Sequence, residues 1–155
     1  MLKVSALVSI AFITMPQLFL ALPAEAQQAS DHKAISSDKA PAAIGPYSAG
    51  IAVGNMVFLS GQIPLIPGTT DLVKGRIEDQ TKQVLENLKA LLQASGLTMA
   101  NVVQTTVYMK DINDFAKMNT VYGTYFPQTP PARATVEVAR LPRDAAIEIA
   151  LIAAR

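Results

Sequence analysis

The hydrophobic positions of this chain change period from one segment to the next, and each change marks an element. Ile51-Ala52-Val53 and residues 56–60 are short apolar runs on either side of Gly54-Asn55, a pair suited to the tight turn of a hairpin. Residues 61–75 carry Pro64, Pro67, Gly68 and Gly75, which predicts a long, exposed loop. Over 78–95 the period becomes helical, with Val84, Leu85, Leu88, Leu91 and Leu92 on one face. Glu78 and Asp79 lie in its first turn, where the helix dipole favours anions. Gly96 stands at the usual stop position.

Residues 102–109 are rich in β-formers, and Val103, Thr105, Val107 and Met109 are expected on one face of a strand. A second helix is predicted over 114–126, with Phe115, Met118, Tyr122 and Phe126 as its apolar stripe and Asn113 or Asp114 as its N-cap. Pro127, Pro130 and Pro131 end it. Two strands follow, over 133–138 and 146–153, joined through Leu141-Pro142-Arg143-Asp144. The order strand, strand, helix, strand, helix, strand, strand points to one α+β domain with the helices on one face of a mainly antiparallel or mixed sheet. In the last strand Ile147, Ile149 and Leu151 point one way, and Glu148, Ala150 and Ile152 the other. Both faces are largely apolar while helices cover one, which predicts oligomerisation.

Ahead of this domain the pattern is that of an address label. Lys3 precedes an uncharged apolar stretch over 4–22, and Ala24-Glu25-Ala26 has the small-x-small form that signal peptidase cuts after. Residues 1–26 are read as a secretory signal peptide, with periplasmic export the expected destination. The alternative is an uncleaved membrane anchor, since the stretch is just long enough to span a bilayer; Pro16 and Gln17 weaken it as a permanent helix. Residues 27–40 are polar, alanine-rich and without period, and are read as a flexible leader to a domain over 41–155.

Several polar residues do not fit the core pattern. Glu148 lies inside an otherwise apolar strand, where burying a carboxylate is costly unless it is paired. It is either a surface carboxylate or a pocket acid with a raised pKa. Arg133 starts a strand after Pro130-Pro131-Ala132. It is either an ordinary surface residue, pairing with Glu137 on the same face, or a clamp for a carboxylate or phosphate. Asn119, four residues after Phe115, shares the side of the helix stripe, as an amide tied to a loop or as a pocket group. Tyr47 packs as core or presents its hydroxyl to a pocket. Ser60-Gly61 is a routine turn, or a place where a ligand approaches the backbone.

Composition narrows the chemistry. The 155 residues are half hydrophobic, enough for one domain with a sizeable core. A net charge of +1 leaves no basic excess for nucleic acid. Absence of cysteine excludes disulfides, thiolate metal sites and thiol nucleophiles. The single histidine, His32, makes a Ser-His-Asp triad or multi-histidine metal site untenable. No glycine-rich loop has phosphate-binding spacing.

Taken together, 41–47 (PAAIGPY), Gly54-Asn55-Met56, 60–64 (SGQIP), 106–115 (TVYMKDINDF), 131–142 (PARATVEVARLP) and Ile147-Glu148-Ile149 strongly resemble the RidA family, also called YjgF/YER057c/UK114. The resemblance covers nearly all of 41–153, in order. It implies a chorismate-mutase-like α+β fold with a six-stranded sheet. It also implies a homotrimer whose sheets form a barrel-like interior, with clefts between subunits. The implied activity is hydrolysis of 2-imino or 2-enamino acids to 2-keto acids and ammonia, with no cofactor or metal. By the same resemblance Arg133 grips the substrate carboxylate and Glu148 orients water or handles a proton. Tyr47, Ser60, Gly61 and Asn119 line the cleft, and Thr135 offers its backbone. Thr135 replaces a cysteine common in the family, and Ala150 a frequent second glutamate. A non-catalytic small-carboxylate-binding or chaperone-like trimer is the alternative; a ribonuclease is disfavoured by the near-zero net charge.

Overall fold

A computed structural model describes residues 31–155; the segment read as a signal peptide and the first residues of the leader lie outside the described residues. Six strands form one mixed sheet: β1 (Lys33–Ile35), β2 (Gly50–Val53), β3 (Met56–Gln62), β4 (Val102–Met109), β5 (Ala132–Glu137) and β6 (Ile147–Ala154). Their spatial order is β1-β2-β3-β6-β4-β5, with β4 and β5 parallel and every other pair antiparallel. The two helices, α1 (Ile77–Ala94) and α2 (Phe115–Tyr125), pack on one face.

Local chemistry sets these boundaries. Gly54 has φ +55° and makes the β2–β3 turn with Asn55, the predicted hairpin. At the start of α1 the Asp79 carboxylate accepts the Arg76 N–H at 3.1 Å, satisfying a donor the helix leaves orphaned. At its end Gly96 and Leu97 donate to Gln93 and Leu92 in a Schellman motif. Val84, Leu85, Leu88, Leu91 and Leu92 are fully buried against Val57, Val107, Ile147 and Ile149. Among the described residues no helix is long and apolar enough to cross a membrane.

Four expectations are corrected. Residues 33–35, assigned to a flexible leader, form the edge strand β1 paired to β2. This is the sixth strand, too short and too polar to show in the hydrophobic pattern. Val103 leaves the buried face of β4, because an extra residue between Val102 and Gln104 makes a bulge that turns it outward, 46% exposed. The 61–75 loop is not exposed throughout: Ile63 and Leu65 are buried with Ala145. Phe115 does not belong to the buried stripe. Asp114, one of the two residues expected, is the N-cap of α2, though it makes no capping bond and pairs with Lys117; Asp111 caps the short turn ahead of it, accepting from Asn113 N at 2.9 Å.

The sheet's other face is uncovered in this chain. Register places Ile51 beside Phe58 and Ile152, then Ala150 beside Thr106, and Glu148 beside Tyr108 and Val136. Phe58 and Val136 are exposed there.

Candidate functional site

A bulge builds the first half of the site. Between Leu59 and Gln62 strand β3 spends one residue more than its partner β6, which bends it and re-aims Ser60 and Gly61. Gly61 then faces Glu148 so closely that a β-carbon on it would stand 2.7 Å from the carboxyl carbon. The glycine is therefore needed for room: any side chain would occupy the volume the carboxyl fills. Ser60 is held on both sides, its N–H donating to Ala49 O and its hydroxyl to Ser48 O at 2.7 Å. Its hydroxyl is a structural tie more than a free ligand group. Gln62, unnoticed in the sequence, is buried and donates to the Ser60 and Gly61 carbonyls, filling the bulge.

A cavity of about 290 Å³ opens here, and Tyr47, Ser60, Gly61 and Glu148 line it together. Its remaining wall is mostly apolar, including Ile44, Leu65 and Pro142. Tyr47 is half exposed, and its hydroxyl accepts the Ile44 N–H at 3.3 Å, which curls the 44–47 strap back on itself. Glu148 is partly buried and has no hydrogen-bond partner among the described residues; burial pushes its carboxyl above the ordinary range. Pro142 is presented by a turn in which Arg143 and Asp144 both take left-handed φ, 57° and 59°. Arg143 donates to Thr70 O at 2.8 Å and Lys110 pairs with Asp144 at 2.6 Å, bracing a backbone that costs energy to hold. The Lys110 partnership holds the Asp144 carboxyl below its ordinary value.

Asn87 was also missed. It sits on the buried stripe of α1 and is itself fully buried. It donates to the Ile63 and Leu65 carbonyls, at 3.4 and 2.9 Å, fixing the loop that borders the cavity. The available signal was an amide at helical spacing between Val84 and Leu91.

The second half lies elsewhere. Arg133 pairs across the sheet with Thr105, and Thr105 with Leu151, so its side chain faces the helices. Its guanidinium carbon lies 4.5 Å from the centre of the Tyr122 ring and 5.5 Å from that of Phe115. Among the described residues no carboxylate stands within ion-pair distance of it. The possible Arg133–Glu137 pair is not made: Glu137 accepts the Ile112 N–H at 2.9 Å instead. Thr135, two residues on and on the same face, has a buried hydroxyl oxygen without a partner. Asn119 lies on α2 between Phe115 and Tyr122, partly buried. Burial raises the Tyr122 phenol above its ordinary value, against the pull of its Thr105 hydrogen bond and the Arg133 charge.

The seven predicted site residues thus fall into two groups. Tyr47, Ser60, Gly61 and Glu148 share the cavity, while Arg133 and Thr135 share the helix-side face of β5 and Asn119 lies on α2, between Phe115 and Tyr122 in the chain. Arg133 and Glu148 point to opposite faces of the sheet, two strands and three residues apart, roughly 14 Å by strand geometry. One chain therefore carries a cation with no anion and a carboxylate with no cation, too far apart to act on one small molecule.

Comparison with known proteins gives this arrangement its context. Residues 37–155 match the family model described as Endoribonuclease L-PSP. A RutC family protein of Pyrococcus horikoshii is 56% identical over 119 residues, covering 77% of this chain and 94% of that protein. The 2-iminobutanoate/2-iminopropanoate deaminase of Escherichia coli is 49% identical over 126 residues, covering 79% of this chain and 98% of that protein. The crystal structure of E. coli TdcF with bound serine superposes with a TM-score of 0.76 at 45% identity, covering 79% of this chain and 98% of that one. The sheet, the two helices and these matches together place the chain in the YjgF/RidA family.

Proposed function

We propose that this protein hydrolyses reactive 2-imino and 2-enamino acids to 2-keto acids and ammonia, at a site completed between two copies of the chain in a homotrimer. The observation that carries this reading is the split site: an arginine fork without a carboxylate and a carboxylate without a cation, on opposite faces of one sheet. A neighbour that brings its Arg133 edge to the Glu148 cavity supplies what each half lacks. The uncovered apolar face gives the copies a reason to associate. The deaminase name of a 49% identical relative supports the reaction.

The chemistry asked of the site is modest. Arg133 takes the substrate carboxylate in two parallel hydrogen bonds. That places the iminium carbon, already electrophilic, in the cavity beside Glu148. The carboxylate accepts a proton as water adds its oxygen to that carbon. The carbinolamine then collapses: Glu148 returns its proton to the nitrogen, the C–N bond breaks as the C=O forms, and the hydroxyl proton passes to the carboxylate and on to the released ammonia, which leaves as ammonium. Holding carboxylate and water in register supplies much of the acceleration.

A second reading, a trimer that binds small carboxylates without turning them over, is favoured by one observation. The molecule bound in the 45% identical E. coli structure is serine, an amino acid and not an imine. A coupled assay separates the two. An amino-acid oxidase generates 2-iminobutanoate in place, and semicarbazide traps whatever imine survives. Less trapped imine with wild type, and not with Arg133→Ala, is the expected result. No difference from buffer, from a folded oligomer that binds 2-oxobutanoate, would overturn the deaminase in favour of the binder. Ribonuclease activity gains little from a net charge of +1.

We further propose export to the periplasm with cleavage after Ala26, from the signal-like pattern of residues 1–26. The mass of the chain recovered from the periplasmic fraction tests it: Gln27 at the N-terminus is expected, and a full-length chain held in the membrane fraction would contradict it.

A further inference from the structure

Arg133 stands on an edge strand, where a long side chain usually roams. Here it does not. Its guanidinium lies over the Tyr122 ring at 4.5 Å, with Phe115 at 5.5 Å alongside. Tyr122 is only 5% exposed, and its ring packs on Phe126 with centroids 4.7 Å apart. Its hydroxyl shares a 2.7 Å hydrogen bond with the hydroxyl of Thr105, which is 1% exposed in the middle strand of the β6-β4-β5 set. A rigid line therefore runs from the sheet through Thr105 and Tyr122 to the arginine.

Packing alone does not call for these two hydroxyls. A phenylalanine and a valine would fill the same volume without burying polar groups that must find each other to avoid a desolvation cost. What the hydroxyl pair adds is an anchor for the tip of the ring, which holds it in place against the sheet. The negative face of a fixed ring attracts the guanidinium and sets its tilt, leaving the fork of N–H donors free for a planar carboxylate.

We infer that Tyr122, locked by Thr105, is the positioning residue for the Arg133 clamp. It touches no reacting atom in this scheme and acts only through the arginine. The inference rests on the reading of Arg133 as the substrate-carboxylate clamp. It assigns to this pair the ordering that lets the clamp bind without first freezing a mobile side chain.

The test is a kinetic split on the full oligomer, with 2-iminobutanoate generated in place. Loss of positioning weakens substrate and transition state alike, so it raises KM and leaves kcat nearly unchanged. Tyr122→Leu removes the ring and is expected to raise KM about tenfold, the scale of a partly desolvated cation–π contact. Tyr122→Phe and Thr105→Val both keep the ring and both break its 2.7 Å tie to the sheet, so each is expected to fall between wild type and Tyr122→Leu. Binding of 2-oxobutanoate, measured by calorimetry, is expected to weaken in the same order. Should Tyr122→Leu fail to assemble, Thr105→Val carries the comparison, since it exchanges one heavy atom without removing the ring. KM and 2-oxobutanoate affinity unchanged in the folded variants, or a loss confined to kcat, would overturn the inference while leaving the deaminase in place. A wild type that neither consumes the imine nor binds 2-oxobutanoate would overturn the functional reading, and this inference with it.

Discussion

At Gly61 one methyl group decides whether the Glu148 carboxyl has room. The bulge in β3 presses the Gly61 backbone toward β6, and a β-carbon there would meet the carboxyl carbon at 2.7 Å. Gly61→Ala is expected to displace Glu148 and cut turnover at least about tenfold, with little loss of stability, because the nearest atoms it meets belong to the far end of that flexible side chain. Glu148 itself sets a pH limb. Burial raises its pKa above the ordinary value, and the reaction needs the ionised form to accept the proton of water. kcat/KM is expected to fall as pH drops through that raised value, at higher pH than for an exposed glutamate. Glu148→Gln should lose this limb and about a hundredfold or more in kcat. Glu148 was legible in the sequence as a charge in an apolar run. Gln62 and Asn87 were not, since a polar residue near a loop or on a helix gives no sign of which carbonyls it will serve.

Hydrophobic period found most elements because it is written in the side chains that make the core: α1, β4 and β6 lie within a residue or so of where the pattern put them. It failed where backbone pairing, not side-chain burial, defines the element. β1 is three residues long with one buried side chain, and it exists because β2 offers it an edge. The bulges at Val103 and at Ser60-Gly61 break the alternation on which the face assignments rest. Phe115 left the core stripe to serve as a platform beside Arg133, which the spacing could not distinguish from packing. One element-scale prediction follows from Asn87, which links α1 to the loop at Ile63 and Leu65. Asn87→Leu leaves two buried carbonyls without that donor and is expected to cost about 1–3 kcal/mol in urea unfolding. The loop should also become more open to proteolysis; a variant as stable and protease-resistant as wild type would contradict the link.

For the whole molecule, the sheet face that carries Phe58, Ile152 and Val136 has no cover from its own chain. The alternation of β6 foretold that face, and the homotrimer that the family resemblance implies, and that we propose, would cover it. Phe58→Asp is expected to give a folded monomer by sedimentation and circular dichroism, with deamination lost because no site is complete. A monomeric Phe58→Asp variant with full activity would show that one chain suffices. No sequence pattern could reveal that Arg133 and Glu148 face opposite ways, because that depends on which strands pair and in which register.

The most direct test is complementation between two inactive chains. Arg133→Ala and Glu148→Gln chains are unfolded together in equal amounts, refolded, and assayed for deamination of 2-iminobutanoate. If each site takes Arg133 from one copy and Glu148 from the next, random mixing in a closed ring rebuilds an intact pair at about a quarter of the sites. Activity should then return to about that fraction of wild type, while each variant refolded alone stays inactive. A mixture as inactive as its parts, from refolded mixed oligomers, would contradict a site shared between copies.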